Sequence, residues 1–241
     1  MNKGVYVPNQ HGAWSMLILP FLFGTFAANP GWIHAPLFAG WLLVYLFSYV
    51  FLQWLRTRKK SIYVKPMYIY GGLLVPIGIL LVALKPSLAW FAPLFVPLLI
   101  VNIYYAKRNR ERAFLNDVAA VVQFSLMVFV AYHAGGGTDW RLAAELFAIS
   151  VLYYVGTVFF VKTMIREKHN ARFYYCSIAY HLALLAIAAV WLEPVLLVPP
   201  AILAARAILS PRKQLSVMRT GVLEIVYSVL VAAFVLSVYA A

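Results

Sequence analysis

The chain has 241 residues, 64% of them hydrophobic and 11% charged, with a net charge of +13 and a mean hydropathy of +0.84. Soluble domains run near half apolar and a quarter charged, so a soluble monomer is excluded: too few polar side chains remain to cover its surface. The single cysteine, Cys176, stands in an apolar run, which excludes a disulfide scaffold, and the apolar content excludes a disordered chain.

What remains is an all-α polytopic membrane helix bundle, a single integral membrane domain over residues 1–241, with about nine transmembrane helices of about 20 residues each. The apolar runs stand at 11–29, 35–55, 67–84, 88–106, 116–134, 141–163, 173–191, 193–209 and 220–240.

The first run is read as a retained span, because Phe26-Ala27-Ala28 is a poor signal-cleavage site. It opens on Pro8-Asn9-Gln10-His11-Gly12-Ala13-Trp14, where Gly12 and Ala13 allow a helix or ligand close to the backbone. A histidine at that position can bind an anion or pass a proton, which makes His11 a candidate catalytic residue. On the second run Gln53, Arg56 and Lys60 follow at i, i+3, i+7 and share one face. The third run carries Pro76 and Gly78, candidates for a broken helix of the transporter kind. Tyr104 and Lys107 share a face at the end of the fourth.

Asn116 suits the cap of the fifth run, and Asp117 the positive end of its dipole. Asp117 is also one of only 7 acids, and the best candidate for a metal ligand or for orienting Lys107 or Arg166, which makes it a candidate catalytic residue. Asp139 is expected to cap the sixth helix, Glu145 to pair with Arg141 one turn earlier, and Lys162 and Arg166 to share a face at its far end. His181 stands alone in the seventh run and reads as a satisfied polar residue between helices. Glu193-Pro194 splits the seventh and eighth runs into a tight hairpin, and Pro199-Pro200 offers a second broken-helix candidate. Glu224 enters the ninth run and is expected to pair with an interior cation. No His or Cys spacing suits a transition metal, so neither a metal site nor a cofactor is expected.

Of the 20 Lys and Arg, all but Lys85 and Arg141 fall in the tail or loops of one face. The positive-inside rule places that face, and the amino terminus, in the cytoplasm of a multi-pass cell-membrane protein, with the carboxyl terminus outside. Anionic inner-leaflet lipid, not nucleic acid, is the expected partner of this charge. His11, Gln53, Arg56, Lys60, Tyr104, Lys107, Asn116, Asp117, Lys162 and Arg166 all fall at the same inner level. If they converge they form a cationic bowl for a phosphate, beneath spans whose Phe21, Phe124 and Tyr153 suit a hydrocarbon tail.

The segment Pro8–Trp14 resembles the P-x-[EQ]-H-G-A-W signature of the YwiC-like bacterial membrane proteins, and Phe160–Glu167 is similar to that family as well. A more distant resemblance is to the UbiA-type prenyltransferases, carried by Tyr104-Tyr105-Ala106-Lys107-Arg108 and the following Leu115-Asn116-Asp117. It implies a nine-helix, amino-terminus-inside bundle with a pocket at the inner face, where Asp-rich motifs after the second and sixth helices hold Mg²⁺ for an isoprenyl diphosphate. Here the first corresponding stretch, Gln53–Lys60, has no acid and the second, Lys162–Lys168, has only Glu167. Two Mg²⁺ ions need several carboxylates. The expectation is therefore a UbiA-like protein binding a phosphate-bearing lipid or isoprenoid through side-chain cations, with transferase activity left open. The alternatives are a transporter or flippase of a small anion or lipid, and a non-enzymatic assembly partner.

Overall fold

A computed structural model describes residues 6–8, 11–57, 60–213 and 215–240, with the side chains of His11, Lys60 and Arg212 outside that description. The described chain is a helical bundle. In order come α1 (His11–Phe26), α2 (His34–Thr57), α3 (Lys60–Leu84), α4 (Ala92–Lys107, after the 3-10 turn Pro86–Phe91), α5 (Phe114–Ser125), α6 (Met127–Ala134), α7 (Trp140–Ile165), α8 (Ala171–Trp191), α9 (Val198–Leu209, after the 3-10 turn Pro194–Leu197) and α10 (Val217–Tyr239). With α5 and α6 as one span, seven helical segments are long and apolar enough to cross a membrane, while Gly12–Phe26 and Pro194–Leu209 are shorter apolar helices.

The helices start where the sequence supplies backbone acceptors. Asp139 accepts from the amides of Arg141 and Leu142, Asn170 from Phe173 and Ser216 from Arg219. Prolines lead the 3-10 turns before α4 and α9, where a missing N–H costs nothing. Glu193 and Pro194 turn the chain back, and α8 packs on α9 as the expected hairpin.

Helix α1 runs through the middle, touching α2, α5, α6, α7 and α10. Gly24 permits this: a Cβ there would lie 2.2 Å from the carbonyl oxygen of Val128 on α6. Phe23, Val121, Val128, Leu146 and Tyr154 are fully buried around it. At the other extreme, none of the most apolar window of α3 is buried, and α3 packs mainly on α2.

Several expectations change. Residues Lys60 to Lys65 extend α3 instead of forming a loop, and α3 runs unbroken through Pro66 and Pro76. Buried or neighbouring groups at membrane depth can absorb a freed carbonyl. The break falls instead in the fifth span, between α5 and α6 at Leu126. Pro199-Pro200 starts α9 rather than interrupting it.

Asn116 is not the cap of α5; that position is Ala113, which has no side-chain acceptor to offer. Glu145 accepts from the Tyr239 hydroxyl at 2.5 Å across the bundle rather than pairing with Arg141. Arg206 is not a loop charge. It lies inside α9, 3% exposed, 2.6 Å from Glu224 and stacked over Phe160 and Tyr227 at 4.0 and 4.7 Å. His181 is buried with Nδ1 2.7 Å from the Ser177 carbonyl, and Gly156 of α7 makes room for its ring.

Candidate functional site

Arg56, Lys107 and Arg166 mark one end of the bundle, called the basic end below, while Lys85 and Arg141 lie at the other. A cavity of about 510 Å³ opens at the basic end among α1, α2, α4, α5, α7 and α10.

Its rim depends on the loop between α4 and α5. Asn109 takes a left-handed turn (φ 54°), a conformation asparagine tolerates better than most residues. Asn116 Nδ2 then donates to the Glu111 carbonyl at 2.7 Å, and the Lys162 ammonium donates to the Arg112 carbonyl at 2.5 Å. These bonds draw the loop over α5 and α7. Lys162 also lies 2.8 Å from the Asp117 carboxylate, and is itself buried. Arg56 reaches the loop from outside and pairs with Glu111 at 2.8 Å.

Of the residues singled out in the sequence, Gln53, Asn116, Asp117, Lys162 and Arg166 line this cavity together. Arg56, Tyr104 and Lys107 do not. On α4 the inward positions are Asn102 and Ala106, both buried and one turn apart. Tyr104 lies midway between them and so points outward, 48% exposed, with the Arg108 guanidinium 4.4 Å over its ring. The side chains of His11 and Lys60 lie outside the described residues, although Pro8, Gly12 and Ala13 beside His11 reach the cavity. Phe124 lines it as expected; Phe21 packs instead against His34 and Phe38, and Tyr153 lines a different cavity.

Deeper in, one wall is aromatic: Trp41 and Tyr45 of α2 meet Phe124 of α5 edge-on at 5.5 and 5.6 Å. The other wall carries Thr157 of α7 with Thr220 and Glu224 of α10. Asn102 donates to Gln123 at 2.8 Å between α4 and α5. Of this inner polar layer, Glu224 is the residue the sequence signalled, as an acid inside an apolar run. The others carry no distinguishing pattern there.

The electrostatics favour an anion. Each lining carboxylate is already opposed: Glu111 by Arg56, Asp117 by Lys162 and Glu224 by Arg206. The Arg166 guanidinium at the mouth has no ion-pair partner among the described residues. Against this, Asn116 Oδ1 is buried without a hydrogen-bond partner among the described residues, an acceptor that calls for a donor rather than an anion. No group of three His, Cys, Asp or Glu side chains among the described residues is arranged to hold a metal ion.

The family model described as YwiC-like protein matches residues 7–132, from before α1 into the last turn of α6. The chain belongs to the YwiC-like family. The matched stretch includes the Pro8–Trp14 motif, the aromatic wall and the α4–α5 loop, whereas Lys162, Arg166 and Glu224 lie beyond it. YwiC of Bacillus subtilis is 40% identical over 184 residues, covering 76% of this chain and 77% of the relative. A Haemophilus influenzae protein is 31% identical over 218 residues, covering 90% and 92%. Both relatives are described as uncharacterized proteins. No solved structure matches the chain significantly.

Proposed function

We propose that this YwiC-like protein binds a phosphate-bearing lipid or isoprenoid in the basic-end cavity, with that end facing the cytoplasm of a cell-membrane protein. The unopposed Arg166 at the mouth, above the aromatic wall of Trp41, Tyr45 and Phe124, carries the reading. Arg166 is exposed at the mouth, where its guanidinium can meet a phosphate through a planar fork. The volume of about 510 Å³ suits a headgroup and the first part of a tail rather than a long chain. Lys162 is engaged by Asp117 and the Arg112 carbonyl, so its part is to shape the mouth and raise the local potential. The UbiA-type precedent supports an inner-face pocket for a phosphate-bearing isoprenoid; the scarcity of acids argues for recognition by side-chain cations instead of Mg²⁺.

The test is native mass spectrometry of the purified protein titrated with phosphatidylglycerol, farnesyl phosphate or phosphatidylcholine. The two anionic probes should bind in preference. Arg166→Gln should weaken them about ten- to a hundred-fold, equivalent to losing a charge-assisted bond of roughly 1.5–3 kcal/mol. Equal affinity of wild type and variant for both anionic probes would overturn the reading.

A further inference from the structure

A second cavity, of about 610 Å³, lies at the other end of the molecule between α7, α8, α9 and α10. It is lined mainly by aliphatic side chains such as Leu184, Ile187 and Leu203, with Arg141 and the Glu145 carboxylate, which holds the Tyr239 hydroxyl, towards its outer end. The two cavities share helix faces. On α10 the basic-end cavity meets Thr220 and Glu224, and the second meets Val231 and Val235; Ser228 stands between. On α7 the basic-end cavity meets Thr157, and the second meets Tyr153 one turn away. One turn is about 5.4 Å, and the seven residues from Glu224 to Val231 rise about 10 Å, against a hydrocarbon core of about 30 Å. One layer of side chains therefore separates two openings from opposite ends.

That layer is polar. The Tyr153 hydroxyl meets Ser228 Oγ at 3.0 Å, and Arg206 meets Glu224 at 2.6 Å. Around them Arg206 Nε and Nη2 are buried without hydrogen-bond partners among the described residues, Thr157 stands beside the Glu224 carboxylate and the Tyr153 hydroxyl, and the Tyr154 hydroxyl stands beside Ser15 and Ser228. Orphaned polar groups cost free energy in an apolar interior. A layer built only to close a bundle is better made of leucine and valine.

We propose that the two cavities are halves of one passage for an anionic amphiphile, closed by the Tyr153–Ser228 and Arg206–Glu224 layer. This rests on the binding reading above and extends it from holding to moving the ligand. The headgroup would leave Arg166, exchange hydrogen bonds with the unpartnered groups of the septum, and emerge towards Arg141. Its tail would follow through the aliphatic cavity, which offers little to a water-soluble anion.

The test uses the full chain with Cys176→Ser, reconstituted into phosphatidylcholine vesicles, with single cysteines at Val161 or Ala148, one in each cavity. A membrane-impermeant maleimide should label each from one side only. Tyr153→Ala should open both to both sides. It should also speed the flipping of fluorescent phosphatidylglycerol, read by dithionite quenching, at least about ten-fold, a barrier drop of about 1.4 kcal/mol. Ser228→Ala, which deletes the hydrogen bond with little change of volume, serves if Tyr153→Ala lowers the melting temperature. Preserved one-sided labelling in a folded variant would overturn the passage. So would crossed labelling with flipping no faster than in protein-free vesicles. Binding of phosphatidylglycerol measured on the same variants separates these failures from failure of the binding reading, which alone would remove the Arg166 dependence.

Discussion

The Arg206–Glu224 pair lends itself to a double-mutant cycle. Both side chains are nearly inaccessible, at 0% and 3%, and the guanidinium lies over the rings of Phe160 and Tyr227. Arg206→Met keeps the length and most of the packing but leaves a buried carboxylate unopposed, which costs about 3–5 kcal/mol in buried pairs. Loss of the cation–π contacts adds about 1–2 kcal/mol. Glu224→Leu alone strands the guanidinium at a similar cost. The double variant removes both charges, and replacing a buried pair by apolar groups is often neutral or favourable. Only the ring contacts should then be missed, so the double variant should lie within about 2 kcal/mol of wild type. Equilibrium unfolding in mixed micelles, followed by circular dichroism, would measure all four corners. A coupling energy of several kcal/mol is expected. An additive double variant, or an Arg206→Met loss below about 1 kcal/mol, would refute the argument that the pair is desolvated and mutually dependent.

At Gly24 a methyl group would collide with the Val128 carbonyl, so Gly24→Ala should destabilise by at least about 1–3 kcal/mol. Gly72→Ala, with nothing within 4 Å, should be neutral or gain up to about 1 kcal/mol of helix propensity; equal melting temperatures for the two variants would contradict the close crossing of α1 and α6. Reporter fusions after Arg112 and Lys168 should report the cytoplasm, and fusions at Lys85 and Ala241 the outside; two or more reversals would sink the orientation. Binding of farnesyl phosphate should survive EDTA, and an affinity that collapses until Mg²⁺ is restored would show that Asp117 and Glu167 suffice to hold a metal.

The spans were legible because runs of apolar residues leave a membrane as their only stable surroundings, and the cap at Asp139 carried its own signal. What a sequence resolves poorly is rotation about the helix axis. In an amphipathic helix a polar stripe reveals the outward face, but here both faces are apolar, one towards lipid and one towards protein. Tyr104 and Asn102 differ by two positions and point to different surroundings, and nothing in the local pattern distinguishes them. Arg56 shares a helical face with Gln53, yet Gln53 lines the cavity while the long Arg56 side chain turns to Glu111, an acid 55 residues on. Asn116 was visible as a polar residue at a helix start; the chain begins α5 at Phe114, which places the amide where it holds the preceding loop. Arg206 looked like one of many flanking cations because only the folded chain brings Glu224, Phe160 and Tyr227 around it.

Lys85 shows how a charge can be present in the sequence and largely cancelled in the fold. Its ammonium reaches the carbonyls of His133 and Ala134 at 2.5 and 3.3 Å, the last residues of α6. A helix presents about half a negative elementary charge at its carboxyl end, so the lysine offsets a large part of that pole and is offset by it. The end of the molecule that is poor in cations is therefore poorer still in effective charge. At the basic end Arg56 and Lys162 are likewise opposed, by Glu111 and Asp117, so what a membrane potential or an anionic leaflet feels is set by the cations each end leaves unopposed, not by a tally of basic residues.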